Sequence, residues 1–537
     1  MEHVNQIISK REKENIMKKL KKLFAVMLSL IMVLAMGITS FAAAPGTDGK
    51  YGTADDTGII TVKGIENESG ISVVAYPIIT AQYGDSGSFS GYQSKYDVTD
   101  INTTDVINSD ITLTAEQLTE YANQVTGPNY TMTRNATNGD YTAEVPVGAY
   151  LVLVTGTEAH SYNPMVVSVY YVNKQGSTDL NEGELNLKET PATAKMSDAP
   201  TVDKIITNNP KDAHGNEKGH SVNIGDTVEY KVSVASIPNY SGSHPVLNVV
   251  DTLSAGLTLN ENSVAVTIGD TTLEKGTDYT VSFDKDNNKL KVDFVVNGAY
   301  KLNAYQGQTA YITYSATLNE NAALNDAGND NTVVLNYTTD SKTTGHGKPT
   351  DESKTYTYTF DIDGQATGTT GIITKTGEVK ADGTKTLPGA VFALYHTRGD
   401  AEAARNEIAT ATSDDGGQIH FTGLKADTYY LKELTAPSGY SVNTNIYKVE
   451  ITATYNNNGT LASWGVKVDD TDVASFTANS EGRWTNNIET GAEIKNTKIS
   501  SLPSTGGIGT TIFTIVGCGI MIAAAGLFFA SRRKENR

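Results

Sequence analysis

Two long apolar runs bracket the chain, Leu23 to Met36 near its start and Ile508 to Ala530 near its end, and no run of that length recurs between them. The interior alternates instead. Thr227-Val228-Glu229-Tyr230-Lys231-Val232-Ser233-Val234, Ala310-Tyr311-Ile312-Thr313-Tyr314-Ser315 and Tyr356-Thr357-Tyr358-Thr359-Phe360 carry the period-2 or β-branched character of strands with one buried face. Turn signals such as Asp286-Asn287-Asn288 and Asn456-Asn457-Asn458-Gly459 separate them. Helical spacing is scarce; Thr114 to Gln124 and Asp400 to Ile408 are the two predicted helices, both short and polar. Roughly 460 interior residues exceed one core, and about three domains are predicted. Pro191-Ala192-Thr193-Ala194 and Gly364-Gln365-Ala366-Thr367-Gly368 read as joints, which places domains at 43–196, 197–365 and 366–499. Short strands at this spacing predict an all-β chain of tandem immunoglobulin-like sandwiches.

Charge and cysteine use narrow the class. Residues 1–42 carry a net +4 and residues 506–537 a net +3, so the formal −19 of the whole chain becomes −26 once both are removed. A body this acidic argues against nucleic-acid or anionic-membrane partners. The single cysteine, Cys518, lies in the apolar C-terminal run, so the body has no disulfide to brace it. Eight scattered histidines form no metal constellation, and no Gly-rich phosphate loop follows a strand. An enzyme therefore finds little support, and no cofactor is expected.

The ends read as addresses. Lys18 to Lys22 form a basic segment, Leu23 to Met36 an apolar one and Ser40-Phe41-Ala42 a small-x-small cleavage site, so 1–42 is a signal peptide, with Met17 an alternative start. At the far end Leu502-Pro503-Ser504-Thr505-Gly506 precedes the apolar run, and Arg532-Arg533-Lys534 follows it. As a helix that run rises roughly 35 Å, enough to cross a bilayer, with the basic tail held inside. The order in 500–537 resembles the LPxTG cell-wall sorting signal of Gram-positive surface proteins. The resemblance implies scission between Thr505 and Gly506, the Thr505 carbonyl passing through a thioester on a sortase cysteine to an amine.

Inside the body, Tyr430-Leu431-Lys432-Glu433-Leu434-Thr435-Ala436-Pro437-Ser438-Gly439-Tyr440 resembles the YxLxExxAPxGY E-box of Gram-positive pilins, and Gly389-Ala390-Val391-Phe392-Ala393-Leu394-Tyr395 resembles a strand of CnaB-type domains. In that family a first-strand lysine and a last-strand asparagine condense into a side-chain amide, helped by the E-box acid. The resemblance assigns these roles to Lys375, Asn496 and Glu433. The chemistry needs burial: it favours the neutral, nucleophilic amine and a protonated carboxyl that donates to the amide carbonyl. In the middle domain Pro200-Thr201-Val202-Asp203-Lys204, Val249-Val250-Asp251-Thr252-Leu253-Ser254-Ala255-Gly256-Leu257-Thr258 and Asn331-Thr332-Val333-Val334-Leu335-Asn336-Tyr337 are similar to the opening, acid-bearing and exit strands of fimbrial, CnaA-like domains. They imply Lys204, Asp251 and Asn331, with Asn329 a competing neighbour.

The first domain departs from the pattern. Gly148-Ala149-Tyr150-Leu151-Val152-Leu153-Val154 imitates the acid-bearing strand, but Leu153 or Val154 stands where the acid would be, so no link is expected and Lys63 reads as a solvated strand lysine. Asp48-Gly49-Lys50-Tyr51-Gly52-Thr53-Ala54-Asp55-Asp56 has oxygens spaced somewhat like a calcium loop; the reading preferred is a flexible leader without metal. In backbone pilins a lysine, often within YPK, attacks the sortase-bound threonine of the next subunit. That YP pair is absent here, and Lys195 takes the matching place, nine residues before Lys204, with Lys188 the fallback. The resemblance as a whole implies a shaft subunit of a sortase-assembled pilus, joined head to tail from Thr505 to Lys195. Its partners would be a class C sortase, identical subunits, tip and basal pilins, and then a housekeeping sortase and peptidoglycan, with a host or matrix ligand left open. The alternative is an ancillary or monomeric wall-anchored adhesin with the same domains.

Overall fold

The computed structural model describes residues 50–107, 112–174, 176, 180, 184–208, 217–242, 245–340, 350–362, 372–479, 483–487, 491–499 and 514–524. The chain divides into two compact units: Met1–Ala199 with Pro238–Pro245 and Thr338–Lys348, and Pro200–Ile237 with Val246–Tyr337 and Pro349–Arg537. The first division falls three residues past the joint proposed at 196/197, and the joint proposed at 365/366 lies inside the second unit, outside the described residues.

In the first unit, Thr57–Lys63 pairs antiparallel with Tyr141–Pro146 and parallel with Ala192–Thr193. The larger sheet runs in the order Leu185–Thr190, Met165–Asn173, Gly148–Thr155, Ser72–Tyr83, Phe89–Ser94. Its central strand Gly148–Thr155 is buried at every residue but the last, which explains why it reads as a continuous apolar run rather than an alternating one. Tyr150, Val152 and Val154 pack with Val62 and Val73, while Leu151 and Leu153 pack with Ile107, Tyr121 and Ala122. The covering helix Ala115–Gln124 begins where expected because Thr114 and Gln117 form a capping box: the Thr114 hydroxyl accepts from Gln117 N and the Gln117 side chain accepts from Thr114 N. A second short helix, Thr103–Ile107, was not anticipated.

The second unit contains two β-systems. In the first, the strands Thr201–Ile206, Thr227–Ala235 and Ala310–Leu318 lie side by side in one sheet, and Thr350–Tyr358, Asn329–Tyr337 and Leu247–Leu253 lie side by side in the other. Alternation places Val228, Tyr230, Val232 and Val234 inward and leaves Thr227 and Glu229 in solvent. In the second system, Ile373–Thr376 pairs in parallel with Ala492–Lys495 beside a seven-stranded sheet. The helix here is Arg398–Ala403 rather than Asp400 to Ile408. Thr397 caps its start, Ala404 turns left-handed at φ 49°, and the Asp400 carboxylate accepts from Arg405 Nε and Asn406 Nδ2, folding the chain back.

Described residues of the first system run on into the core of the second. The period-2 pattern of Thr350–Tyr358 continues past the last strand residue, so that Phe360 and Ile362 bury in the second system's core with Trp464 and Phe476. Phe360 stacks on Trp464 at 5.2 Å, and Trp464 on Phe476 at 4.1 Å. Phe360 and Leu424 exchange backbone hydrogen bonds at 2.7 and 3.0 Å, and Tyr358 Oη accepts from Leu461 N. Described residues of the C-terminal run form a helix over 514–524, and no described helix is long and apolar enough to cross a membrane; most of the expected span 508–530, like the signal peptide, lies outside the described residues.

Replacing Phe360 by alanine removes a fully buried ring and is expected to cost about 3–5 kcal/mol. Tryptophan-monitored melting would report it as a lowered transition; an unchanged transition would contradict this packing.

Candidate functional site

The two lysines assigned to chemistry are both fully buried, each at 0% exposure. Lys375 points inward from Ile373–Thr376, and the parallel register pairing it with Ile494 brings Asn496, two residues on, to the same pocket. Glu433 reaches the pocket from Thr428–Thr435, where Leu431 and Glu433 occupy inward positions. Lys375 Nζ donates to Glu433 Oε2 at 3.2 Å and to Asn496 Oδ1, and Asn496 Nδ2 donates to Glu433 Oε1 at 2.8 Å. The carboxylate thus bridges amine and amide. A backbone contact missed from sequence, Asn443 N, also donates to Oε2 at 2.7 Å and holds the carboxylate in place. Burial pushes the Lys375 amine down, with Glu433 pulling the other way. Space is tight: a Cβ on Gly417, whose φ is +74°, would lie 2.4 Å from the Lys375 carbonyl oxygen. The expected donation from a protonated acid to the amide carbonyl is not the arrangement found. The ammonium occupies that oxygen and the acid faces the amide nitrogen.

The middle cluster spans two sheets. Lys204 projects from Thr201–Ile206, while Asp251 and Asn331 come from the facing sheet, where Asp251 pairs with Val333 and Leu253 with Asn331, so the two side chains are diagonal neighbours on the inner face. Lys204 Nζ donates to both Asp251 oxygens, at 2.6 and 2.8 Å. Burial pushes its amine down to about 8 against the pull of Asp251. Two tyrosines that the sequence reading passed over complete the pocket. Tyr314 Oη donates to Asp251 Oδ2 at 2.5 Å and accepts from Asn331 Nδ2 at 2.8 Å. Tyr230 stacks on Tyr314 at 5.1 Å, and Lys204 Nζ lies 5.0 and 5.4 Å from the two ring centres. Their inward places in Thr227–Ala235 and Ala310–Leu318 were readable; a buried tyrosine hydroxyl needing a partner was the missed signal. Contacts distinguish Asn331 from Asn329. Asn329 spends its amide on the backbone, donating to Ala323 O and Thr357 O and accepting from Ala323 N.

Other assigned residues stand apart from these clusters. Lys63 is exposed, and Leu153 and Val154 are buried where an acid would be needed. The stretch from Lys50 to Asp56 is folded rather than a loose leader: Asp56 is buried and accepts from Gly52 N at 2.6 Å, Thr53 N at 2.9 Å and Tyr171 Oη at 2.7 Å. That carboxylate caps a turn, and the described residues hold no group of three metal-ligating side chains. Lys195 is exposed next to Met196–Asp198, its carbonyl accepting from Asn163 N at 3.1 Å, and Lys188 is exposed with Nζ 5.8 Å from the Tyr170 ring centre. Leu502, Pro503, Ser504, Thr505 and Gly506 lie outside the described residues. The chain leading to them is held by the E-box loop, with Ser441 N donating to Thr497 O at 3.0 Å and Ile499 N to Gly439 O at 2.8 Å.

Comparison with known proteins agrees with this picture in three places. Residues 372–465 match the family described as prealbumin-like fold domain, 224–341 the Gram-positive pilin backbone subunit 2, Cna-B-like domain, and 494–537 the LPXTG cell wall anchor motif. The trypsin-resistant surface T6 protein of Streptococcus pyogenes serotype M6 is 26% identical, covering 94% of this chain and 99% of its own length. Fimbrial subunit type 2 of Actinomyces naeslundii is 25% identical over 77% of this chain and 76% of its own. The solved T6 backbone pilin of S. pyogenes, described as a modular three-domain structure, superposes with a TM-score of 0.50 at 20% identity, covering 83% of this chain and 99% of that one, a likeness of fold. The chain is accordingly a homologue of the Gram-positive backbone pilins, anchored to the cell wall through the motif at its C-terminus.

Proposed function

We propose that the protein is the repeating shaft subunit of a pilus, braced by two internal Lys–Asn amide bonds and polymerised by a class C sortase through Thr505 and Lys195. The observation that carries the reading is a buried lysine, acid and asparagine gathered twice in the second unit, in direct mutual contact around Glu433 and joined through Tyr314 in the middle pocket. In the C-terminal pocket Lys375 passes a proton to Glu433, and the freed amine forms an Nζ–Cγ bond with Asn496. The carboxyl returns a proton to Nδ2, the Cγ–Nδ2 bond breaks, ammonia leaves, and the surplus proton on Nζ passes to Glu433. Lys204, Asp251 and Asn331 take the places of amine, acid and amide in the middle domain. The spans closed, 127 residues from 204 to 331 and 121 from 375 to 496, each correspond to about 5 kcal/mol by the entropy of loop closure. Lys195 is exposed and cannot be activated by burial, which suits an amine that attacks an enzyme-bound thioester. A chain joined from Thr505 to the next copy's Lys195 does not close and grows as a fibre. Tip and basal pilins, transfer to peptidoglycan by a housekeeping sortase, and any host or matrix ligand belong to the same proposal.

The intact mass of the secreted body is expected to fall short of its sequence mass by two ammonia molecules. Asn331→Ala should restore one, whereas Asn329→Ala should restore none and only lower stability, by about 1–3 kcal/mol for its lost backbone contacts. An unreduced mass in the wild type would remove the links.

Polymerisation is tested on whole cells by boiling in SDS. Wild type should give a high-mass ladder; Lys195→Arg, which keeps the charge but has no neutral amine to offer, should give wall-attached monomer with both internal links intact. A ladder in Lys195→Arg would transfer the role to Lys188, and one in the double variant would exclude both lysines. A wild type without a ladder would mark a monomeric adhesin.

A further inference from the structure

The two pockets are not built alike. In the C-terminal pocket Glu433 touches both reacting groups, Lys375 Nζ through Oε2 and Asn496 Nδ2 through Oε1, and the ring nearest the amine is Phe392, which has no hydroxyl. Asp251 is one methylene shorter and turns both oxygens to Lys204. Its gap to the amide is filled by Tyr314, whose hydroxyl lies 2.5 Å from Asp251 Oδ2 and 2.8 Å from Asn331 Nδ2. Lys204, Asp251, Tyr314 and Asn331 are all at least 97% buried, away from bulk solvent. Among the described residues Asn331 Oδ1 is buried without a hydrogen-bond partner, an acceptor able to gather charge.

We propose that Tyr314 is a catalytic residue of the middle-domain condensation, carrying the proton that Asp251 collects from Lys204 to the departing nitrogen of Asn331. The inference rests on the crosslinking reading above. Lys204 gives one proton to Asp251, and its amine lone pair forms the Nζ–Cγ bond while the carbonyl pair moves onto Oδ1. Asp251 protonates Tyr314 Oη as Tyr314 gives its own proton to Nδ2. The Oδ1 pair returns, the Cγ–Nδ2 bond breaks, ammonia leaves, and the surplus Nζ proton passes to Asp251. The tyrosine ends as it began. Burial and the Asp251 charge hold the Tyr314 hydroxyl far above its ordinary range, so it hands on a proton only while receiving one. Stacking on Tyr230 fixes the ring in line for the transfer.

The test follows the middle and C-terminal links in the full chain refolded from inclusion bodies, by mass spectrometry of peptides over time. Tyr314→Phe should slow the middle link by about 10²–10⁴-fold, the range of a lost acid–base group, while the Lys375–Asn496 link forms at the wild-type rate. Asp251→Glu in the Tyr314→Phe background, which lends the acid the reach Glu433 has, should recover much of the rate; a packing role would not be rescued. If Tyr314→Phe fails to fold, 3-fluorotyrosine at position 314 keeps the shape and acidifies the hydroxyl, and its rate should differ from that of wild type. A middle link at the wild-type rate in Tyr314→Phe or with fluorotyrosine, or a slow variant that Asp251→Glu leaves slow, would overturn the relay. A wild type lacking the middle link would instead defeat the crosslinking reading on which it rests.

Discussion

Placing a lysine amine at the centre of a β-sandwich is the constraint on which the rest of the second unit depends. An ammonium removed from water loses several kcal/mol of solvation unless a charge and further donors and acceptors surround it. Lys204 and Lys375 each meet this demand with one carboxylate, joined by two tyrosine rings at Lys204 and by an asparagine carbonyl at Lys375, and no other lysine among the described residues is buried. The pairing is poor as a source of stability, since an apolar side chain of similar volume would do as well. It makes sense as a reactant held in place. Burial brings amine and ammonium close in energy, and once the amide forms, neither partner retains a charge to solvate.

The placement of the reactants follows from strand geometry. Because side chains alternate across a strand, a lysine two residues from Val202 and Ile206 must share their inward face. Register then selects its partners. Asp251 and Asn331 lie diagonally on neighbouring strands, and a one-residue slip would turn either of them to solvent. In the C-terminal system the lysine and asparagine strands are themselves neighbours in parallel register. Each proposed bond thus ties the strand that opens its domain to one near its close. A pull on the ends would be borne by covalent bonds rather than by ladder hydrogen bonds, in a body whose only cysteine lies in the apolar C-terminal run.

Much of this was legible in the sequence because it depends on periodicity or short motifs. The alternating strands, the capped helix at 115–124, the buried places of Lys204 and Lys375 and the missing acid at Leu153 all follow from residue order. What was not legible depends on contacts between segments distant in the chain. Tyr314 is 63 residues from Asp251 and looks like any inward aromatic until the facing sheet is in place. The acid–amide orientation in the C-terminal pocket depends on which oxygen the ammonium reaches first. The stretch at 364–368, read as a joint, lies outside the described residues, and what was not read is that Phe360 and Ile362 before it carry the strand pattern into the next core. At 50–56, acidic and glycine content suggested a loose leader. One buried carboxylate accepting three hydrogen bonds folds it instead.

The lysines divide into two chemical kinds by exposure alone. A buried amine needs no enzyme, because desolvation, a fixed acid and a fixed amide supply activation and proximity once the sheets close. An exposed amine such as Lys195 has no such surroundings, so the acylation proposed for it would depend on a partner that brings an activated carbonyl. This separation orders the events. The proposed internal bonds would form as soon as each sandwich folds, whereas the proposed joining of one subunit to the next would wait for a sortase. The shaft would then be built from subunits already locked internally.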